Sequence, residues 1–102
     1  MRIATTPTHK FNFPEDISVE NIAEAEFVYG QNGKNILKKN LSDFDIDTED
    51  NSLSIVLTQE ETKLFAPGDA LIQARIKDES GTVMASQIII FNIKPVLDSE
   101  EL

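Results

Sequence analysis

Catalysis by a nucleophile, a base and an acid usually needs an imidazole, and this chain offers one, His9. It lies in Thr8-His9-Lys10, a polar stretch that opens the first strand, and reads as an ordinary surface residue. There is no cysteine, so disulfides, thiol nucleophiles and thiolate metal sites are all excluded. One histidine without cysteine leaves zinc almost no ligands. Asp43-Phe44-Asp45-Ile46-Asp47 has the acid spacing that opens a calcium loop. Such a loop needs glycine at its sixth position and a bidentate glutamate at its twelfth, where this chain has Thr48 and Ser54. Phe44 and Ile46 read better as core-facing strand residues. The 18 acidic residues supply many carboxylate pairs. Glycoside chemistry also needs a cleft that raises one pKa, and a short-looped domain has little room for one. The four glycines stand apart at 30, 33, 68 and 81, which leaves no phosphate-binding pattern. Tyr29 is expected to lay its ring on the sheet and keep its hydroxyl in water. No catalytic residue, cofactor, metal or small-molecule substrate is therefore expected.

The whole chain argues the same way. Its 102 residues suffice for one domain, and 40% apolar content suits a globular class. The net charge of −9 repels phosphate backbones and anionic membranes, so neither nucleic acid nor membrane is an expected partner. The N-terminal residues lack the apolar stretch of a signal peptide. The longest fully apolar run, Ile88-Ile89-Ile90-Phe91, is far too short for a membrane span.

The elements that would position any site are strands. Phe11 and Phe13 alternate with polar residues and are stopped by Pro14. One helical turn is expected around residues 18–22. The segment 23–29 places Ala23, Ala25, Phe27 and Tyr29 on one face and reads as a strand, with helix as the alternative. Asn32-Gly33 then predicts a tight hairpin turn, since both residues tolerate positive φ. A returning strand carries Ile36 and Leu37, and a short one carries Phe44 and Ile46. Residues 48–51 read as a turn. Leu53, Ile55 and Leu57 share the core face of the next strand. Thr58 and Glu61 form a capping box that opens a short helix, with Leu64 and Phe65 facing the core and Pro67 ending it. Ile72, Ala74 and Ile76 share a face in the segment 70–77, which turns at Gly81.

The last and longest strand, residues 83–94, places Val83, Ala85, Gln87, Ile89, Phe91 and Ile93 on its core face. Met84, Ile88 and Ile90 then point outward and are the candidate partner-contact residues. Three accounts of the outward isoleucines stand open. A helix or loop covers them, a bulge near Gln87 switches the alternation, or they form a contact between subunits. The expected core is Phe11, Phe13, Phe27, Phe44, Ile46, Leu53, Ile55, Leu57, Leu64, Phe65, Ile72, Ala74, Ile76, Ile89 and Phe91. The reading is an all-β chain, an immunoglobulin-like antiparallel β-sandwich of seven strands with one short helix. It spans residues 1–95 and leaves an acidic tail at 96–102. An open α+β arrangement is the alternative fold.

A set of segments taken in order goes beyond a generic sandwich. They are Thr5-Thr6-Pro7-Thr8-His9-Lys10-Phe11 with Phe13-Pro14, then Val28-Tyr29-Gly30-Gln31, Leu57-Thr58-Gln59-Glu60-Glu61-Thr62-Lys63-Leu64-Phe65, Gln73-Ala74-Arg75, and Gly81-Thr82-Val83-Met84-Ala85-Ser86. In this order the chain resembles small prophage-encoded tail proteins of Gram-positive bacteria and the N-terminal domain of phage baseplate upper proteins. The resemblance implies a non-catalytic virion or tail-assembly component whose partners are other tail or baseplate proteins, or further copies of itself. It implies assembly in the host cytoplasm and then residence in the virion. The chain lacks the long C-terminal extension of full baseplate proteins. A carbohydrate- or cell-surface-binding module is the second functional reading. Glycan binders usually display exposed aromatic platforms, and this chain has no Trp and one Tyr.

Overall fold

The computed structural model describes residues 1–102 apart from Gln87 and Ser99. It is an all-β, immunoglobulin-like sandwich of two antiparallel sheets with one short helix. The strands are β1 (Thr8–Asn12), β2 (Ile22–Gln31), β3 (Lys34–Asn40), β4 (Asp45–Asp47), β5 (Ser52–Val56), β6 (Gly68–Asp78), β7 (Val83–Ala85) and β8 (Ile89–Ile93). The helix α1 is Gln59–Thr62. One sheet has the order β1-β5-β4; in the other, β3-β2-β6 is flanked by β7 and β8, which both pair with β6.

Local chemistry explains most of these boundaries. Asn32 and Gly33 have φ of 53° and 77°, and they join β2 to β3 with Gln31 opposite Lys34. Both positive φ values are what a two-residue turn of this hand needs. Gly81 (φ 91°) closes the β6–β7 hairpin. There Asp78 Oδ1 accepts from Ser80 N, Ser80 Oγ and Thr82 N. Thr58 Oγ1 accepts from Glu61 N at 3.1 Å, and Thr58 N donates to Glu61 Oε1 at 2.9 Å, so the capping box is formed. A single 3-10 turn, Val19–Asn21, precedes β2.

The inner faces are apolar because alternation holds along most strands. β6 buries Ala70, Ile72, Ala74 and Ile76 and exposes the residues between them. Phe27 lies opposite Ala74 and Tyr29 opposite Ile72, which seats each large ring beside a smaller side chain. Phe27, Leu53, Leu57, Val19 and Ile93 are almost completely buried. Phe27 joins Phe11 and Phe44 in an aromatic cluster, with ring centroids 4.7 and 4.5 Å away. Such pairs add about 0.5–1.5 kcal/mol each beyond area burial.

Four expectations about β2, β4, α1 and the final strand need correction. Ala23 is exposed, because the register of β2 shifts between Ile22 and Glu24. Ile46 lies opposite Leu53 on the inner side, yet it is 50% exposed because edge strand β4 has no cover there. Leu64 is 54% exposed, since α1 is one turn long and turns Thr62 and Phe65 inward instead. The final strand is two strands, β7 and β8. Among the described residues no helix is long and apolar enough to cross a membrane.

Candidate interaction surface

The break between β7 and β8 shapes the surface of interest. Arg75 pairs with Ala85 and Ile72 with Ile89, so three steps along β6 face four on the segment paired with it. One extra residue is inserted, which defines a β-bulge. Ser86 spans the gap. Its N–H donates to the Ala74 carbonyl at 2.8 Å and its hydroxyl accepts from the Ala74 N–H at 2.9 Å. Because the side-chain period is two, one extra residue reverses the faces. Met84, opposite buried Ile76, therefore packs inward, whereas Val83 and Ala85 are exposed. Beyond the bulge Phe91 and Ile93 point inward as expected. The alternation switch thus corrects the expected core placement of Val83 and Ala85 and the outward placement of Met84. Gln87 itself lies outside the described residues.

Ile88 and Ile90 are 56% and 66% exposed, so neither is covered within the chain. Ile90 lies opposite Leu71 on the outer face, and Leu71 is also exposed. Ile89 faces inward but stays 45% exposed at the mouth of a cleft. That cleft, about 230 Å³, opens between the sheets at the bulge. Phe11, Phe13 and Ile17 line one wall, Met84 and Ile89 the other, and Phe27 and Ile72 the floor.

Asn51 holds the rim of this cleft. Its Nδ2 donates to the carbonyls of Phe13 (3.1 Å), Pro14 (3.2 Å) and Ile17 (2.8 Å), and its Oδ1 accepts from Val19 N at 2.9 Å. Its φ is 52°, a left-handed value that Asn tolerates better than most residues. Turn chemistry pointed to this segment, but nothing local revealed that Asn51 organises a loop more than thirty residues away. Gln31 was missed in the same way. It is buried, and its side chain both donates to Ala66 O (2.6 Å) and accepts from Ala66 N (2.8 Å).

The other residues considered for chemistry take structural places. His9 is not an ordinary surface residue. It shares the inner face of β1 with Phe11, and its Nδ1 is 2.7 Å from the Tyr29 hydroxyl. The two rings stack at 5.6 Å, and Phe91 meets His9 edge-on at 5.8 Å. Tyr29 is 0% exposed, so its hydroxyl is in the core and not in water. Burial first, and the N-terminal ammonium second, lower the His9 pKa below the ordinary 6.5. Burial, with a smaller push from Glu61, raises that of Tyr29. The pair is a buried polar contact satisfied internally. Among the described residues no carboxylate hydrogen-bonds the imidazole, as a base–acid relay would require.

Asp43 accepts from Asn40 N and Asp47 from Asp50 N, so both acids cap local backbone. Asp45 and Asp47 pair across to Ser54 and Ser52 on the outer side of the small sheet. Among the described residues no three His, Asp or Glu side chains converge on a metal-sized site. A more open hollow of about 450 Å³ beside the paired strands β2 and β6 has Glu24, Glu26, Arg75 and Lys77 in its lining. Its charges compensate one another, since Glu26 bridges Arg75 (2.9 Å) and Lys38 (3.0 Å). Lys39 on β3 pairs with Glu61 on α1, which ties the helix to the larger sheet. Burial raises the Glu61 pKa, but Lys39 and the Thr58 N–H more than offset this and hold it below the usual carboxylate range.

Comparison with family models and with curated proteins finds no match. Among solved structures the chain is similar to CopC from Methylosinus trichosporium OB3b. The TM-score is 0.58, covering 95% of this chain and 85% of that one at 14% sequence identity. At that identity the likeness shows the fold alone.

Proposed function

We propose that this chain is a non-catalytic structural component of a phage or prophage tail or baseplate, acting through protein–protein contact. The exposed, uncharged strand edge carries this reading. Ile88 and Ile90 stand in water, Ile90 opposite the exposed Leu71, in a chain whose residues are 26% charged. Natural sheets normally protect such an edge with charge, proline or a cover, and an unprotected one suits a strand that is covered on assembly. The ordered sequence resemblance supplies the setting, which is assembly in the host cytoplasm followed by residence in the virion. The glycan-binding alternative loses ground because Tyr29 is buried and no aromatic is among the strongly exposed large side chains. Co-expression with tail and baseplate proteins of Gram-positive prophages tests the proposal. Co-elution in a defined assembly that Ile88→Glu disrupts without unfolding the chain is the expected result. A chain that stays monomeric with every such protein refutes it.

A further inference from the structure

We propose that the open edge of β7–β8 is completed by an extended, basic segment of a protein partner. That segment adds as a strand, places one apolar side chain in the cleft and sets a Lys or Arg against Glu15 and Asp16. This inference rests on the reading of the chain as a contact protein and names the chemistry of its partner.

Three observations point to it. The first is that the chain already pairs a segment on this edge. Lys94 N donates to Met1 O (2.8 Å), Ile3 N to Lys94 O (3.1 Å), and the Met1 ammonium to Asn92 O (3.0 Å). Arg2 and Lys94 form a parallel bridge there. This pairing stops at Asn92, and the edge continues past Ile90 and Ile88 toward β7. Residues 86–93 contain neither a charged residue nor proline, so nothing in their sequence blocks strand addition.

The second is the cleft. The bulge leaves about 230 Å³ of apolar space between Met84 and Ile89 on one side and Phe11, Phe13 and Ile17 on the other. A strand laid beside β8 turns alternate side chains to the inner side, which brings one of them to this opening. Main-chain pairing gives such a mode its affinity, and a side-chain pocket gives it specificity.

The third is charge. Glu15 and Asp16 are exposed in the turn between Pro14 and Ile17, both of which line the cleft. None of the ion pairs found among the described residues uses either acid. With the whole chain at −9, a basic segment is attracted, whereas a second copy brings the same negative charge.

The probe is a synthetic peptide alternating Val and Thr, with a central Leu and a Lys at each end. It is titrated into the isotope-labelled chain of residues 1–102 and followed by amide chemical shifts. Saturable shifts at Ile88, Ile90 and the turn at Glu15 and Asp16 are expected. Ile90→Pro, or the double change Glu15→Lys with Asp16→Lys, should weaken binding at least tenfold in proteins whose other amide shifts report an intact fold. A peptide with Glu in place of Lys should bind at least tenfold more weakly. Absence of edge shifts at millimolar peptide overturns the inference. So does equal affinity for the acidic peptide, or the same shifts on raising protein concentration without peptide, which would assign the edge to a second copy. The two proposals fail separately. Peptide binding at the edge without assembly into any tail protein sinks the tail reading alone. Tail assembly that survives Ile90→Pro and the double charge reversal sinks the edge inference alone.

Discussion

Asn51→Ala should be among the most damaging single changes in this domain. The Asn51 Nδ2 has two hydrogens shared among the carbonyls of Phe13, Pro14 and Ile17, and Oδ1 takes the Val19 N–H. That is the equivalent of three hydrogen bonds, each contributing about 1 kcal/mol net. Val19 is 1% exposed, so its freed N–H has little access to water and costs a further 1 kcal/mol or so. The backbone at φ 52° adds about 1 kcal/mol, because alanine tolerates the left-handed region less well than asparagine. The loop relaxes in part, which brings the expected loss to about 3–5 kcal/mol. Native stabilities are about 5–15 kcal/mol, so this is a large fraction. At a urea slope near 1 kcal/mol per molar, the denaturation midpoint should fall by about 3 M or more. Asn51→Gly removes the same hydrogen bonds without the backbone strain and should lose about 1 kcal/mol less. Asn51→Asp keeps the acceptor for Val19 but turns a carboxylate toward three carbonyls, so it should not rescue. A loss below about 1 kcal/mol for Asn51→Ala would refute the reasoning.

Other outcomes follow from the same geometry. Thr58→Ala removes the acceptor for Glu61 N and should cost about 0.5–2 kcal/mol; an unchanged urea midpoint would mean that the cap contributes nothing. His9 is held neutral in the fold, with its pKa below 6.5, so the unfolded chain binds the proton more readily. Stability is therefore full above that value and falls as pH drops through it toward the lower folded pKa. Midpoints measured between pH 7.5 and pH 5 should show this decline in the native chain and lack it in His9→Gln. Gly33→Ala places a Cβ on a residue at φ 77° and should destabilise by about 1 kcal/mol, read as a lower thermal midpoint. Ile88→Glu alters an exposed side chain and should change stability by no more than about 0.5 kcal/mol, so a large loss would show that Ile88 is covered within the chain.

Where a few neighbouring residues suffice, the sequence determined the outcome. Asn32-Gly33 sets its hairpin because both turn angles are local. Thr58 and Glu61 satisfy each other's backbone within one helical turn. The alternation of Ile72, Ala74 and Ile76 assigns the faces of β6 without reference to a partner. The absence of cysteine and the single histidine likewise limited the chemistry before any fold was known.

Tertiary structure decided the rest, because burial depends on what lies across the sandwich. Alternation placed His9 on the same face as Phe11, but only the facing Tyr29 and Phe91 show that this position is enclosed. Ile46 and Leu64 have core-like side chains and remain half in water, since an edge strand and a one-turn helix leave them uncovered. The final strand shows the limit most directly. Apolar residues fall on both faces from Ile88 to Phe91, which left a bulge near Gln87 open as one account, but straight alternation placed Val83 and Ala85 on the same face as Phe91. One residue inserted opposite β6 reverses that assignment, turns Met84 inward and opens the cleft. A bulge is a property of two strands in register, and the residues of one strand do not encode it alone. The rim of the cleft depends likewise on Asn51 reaching back to a loop that chain order places far away. Its hydrogen bonds form only after both sheets have packed.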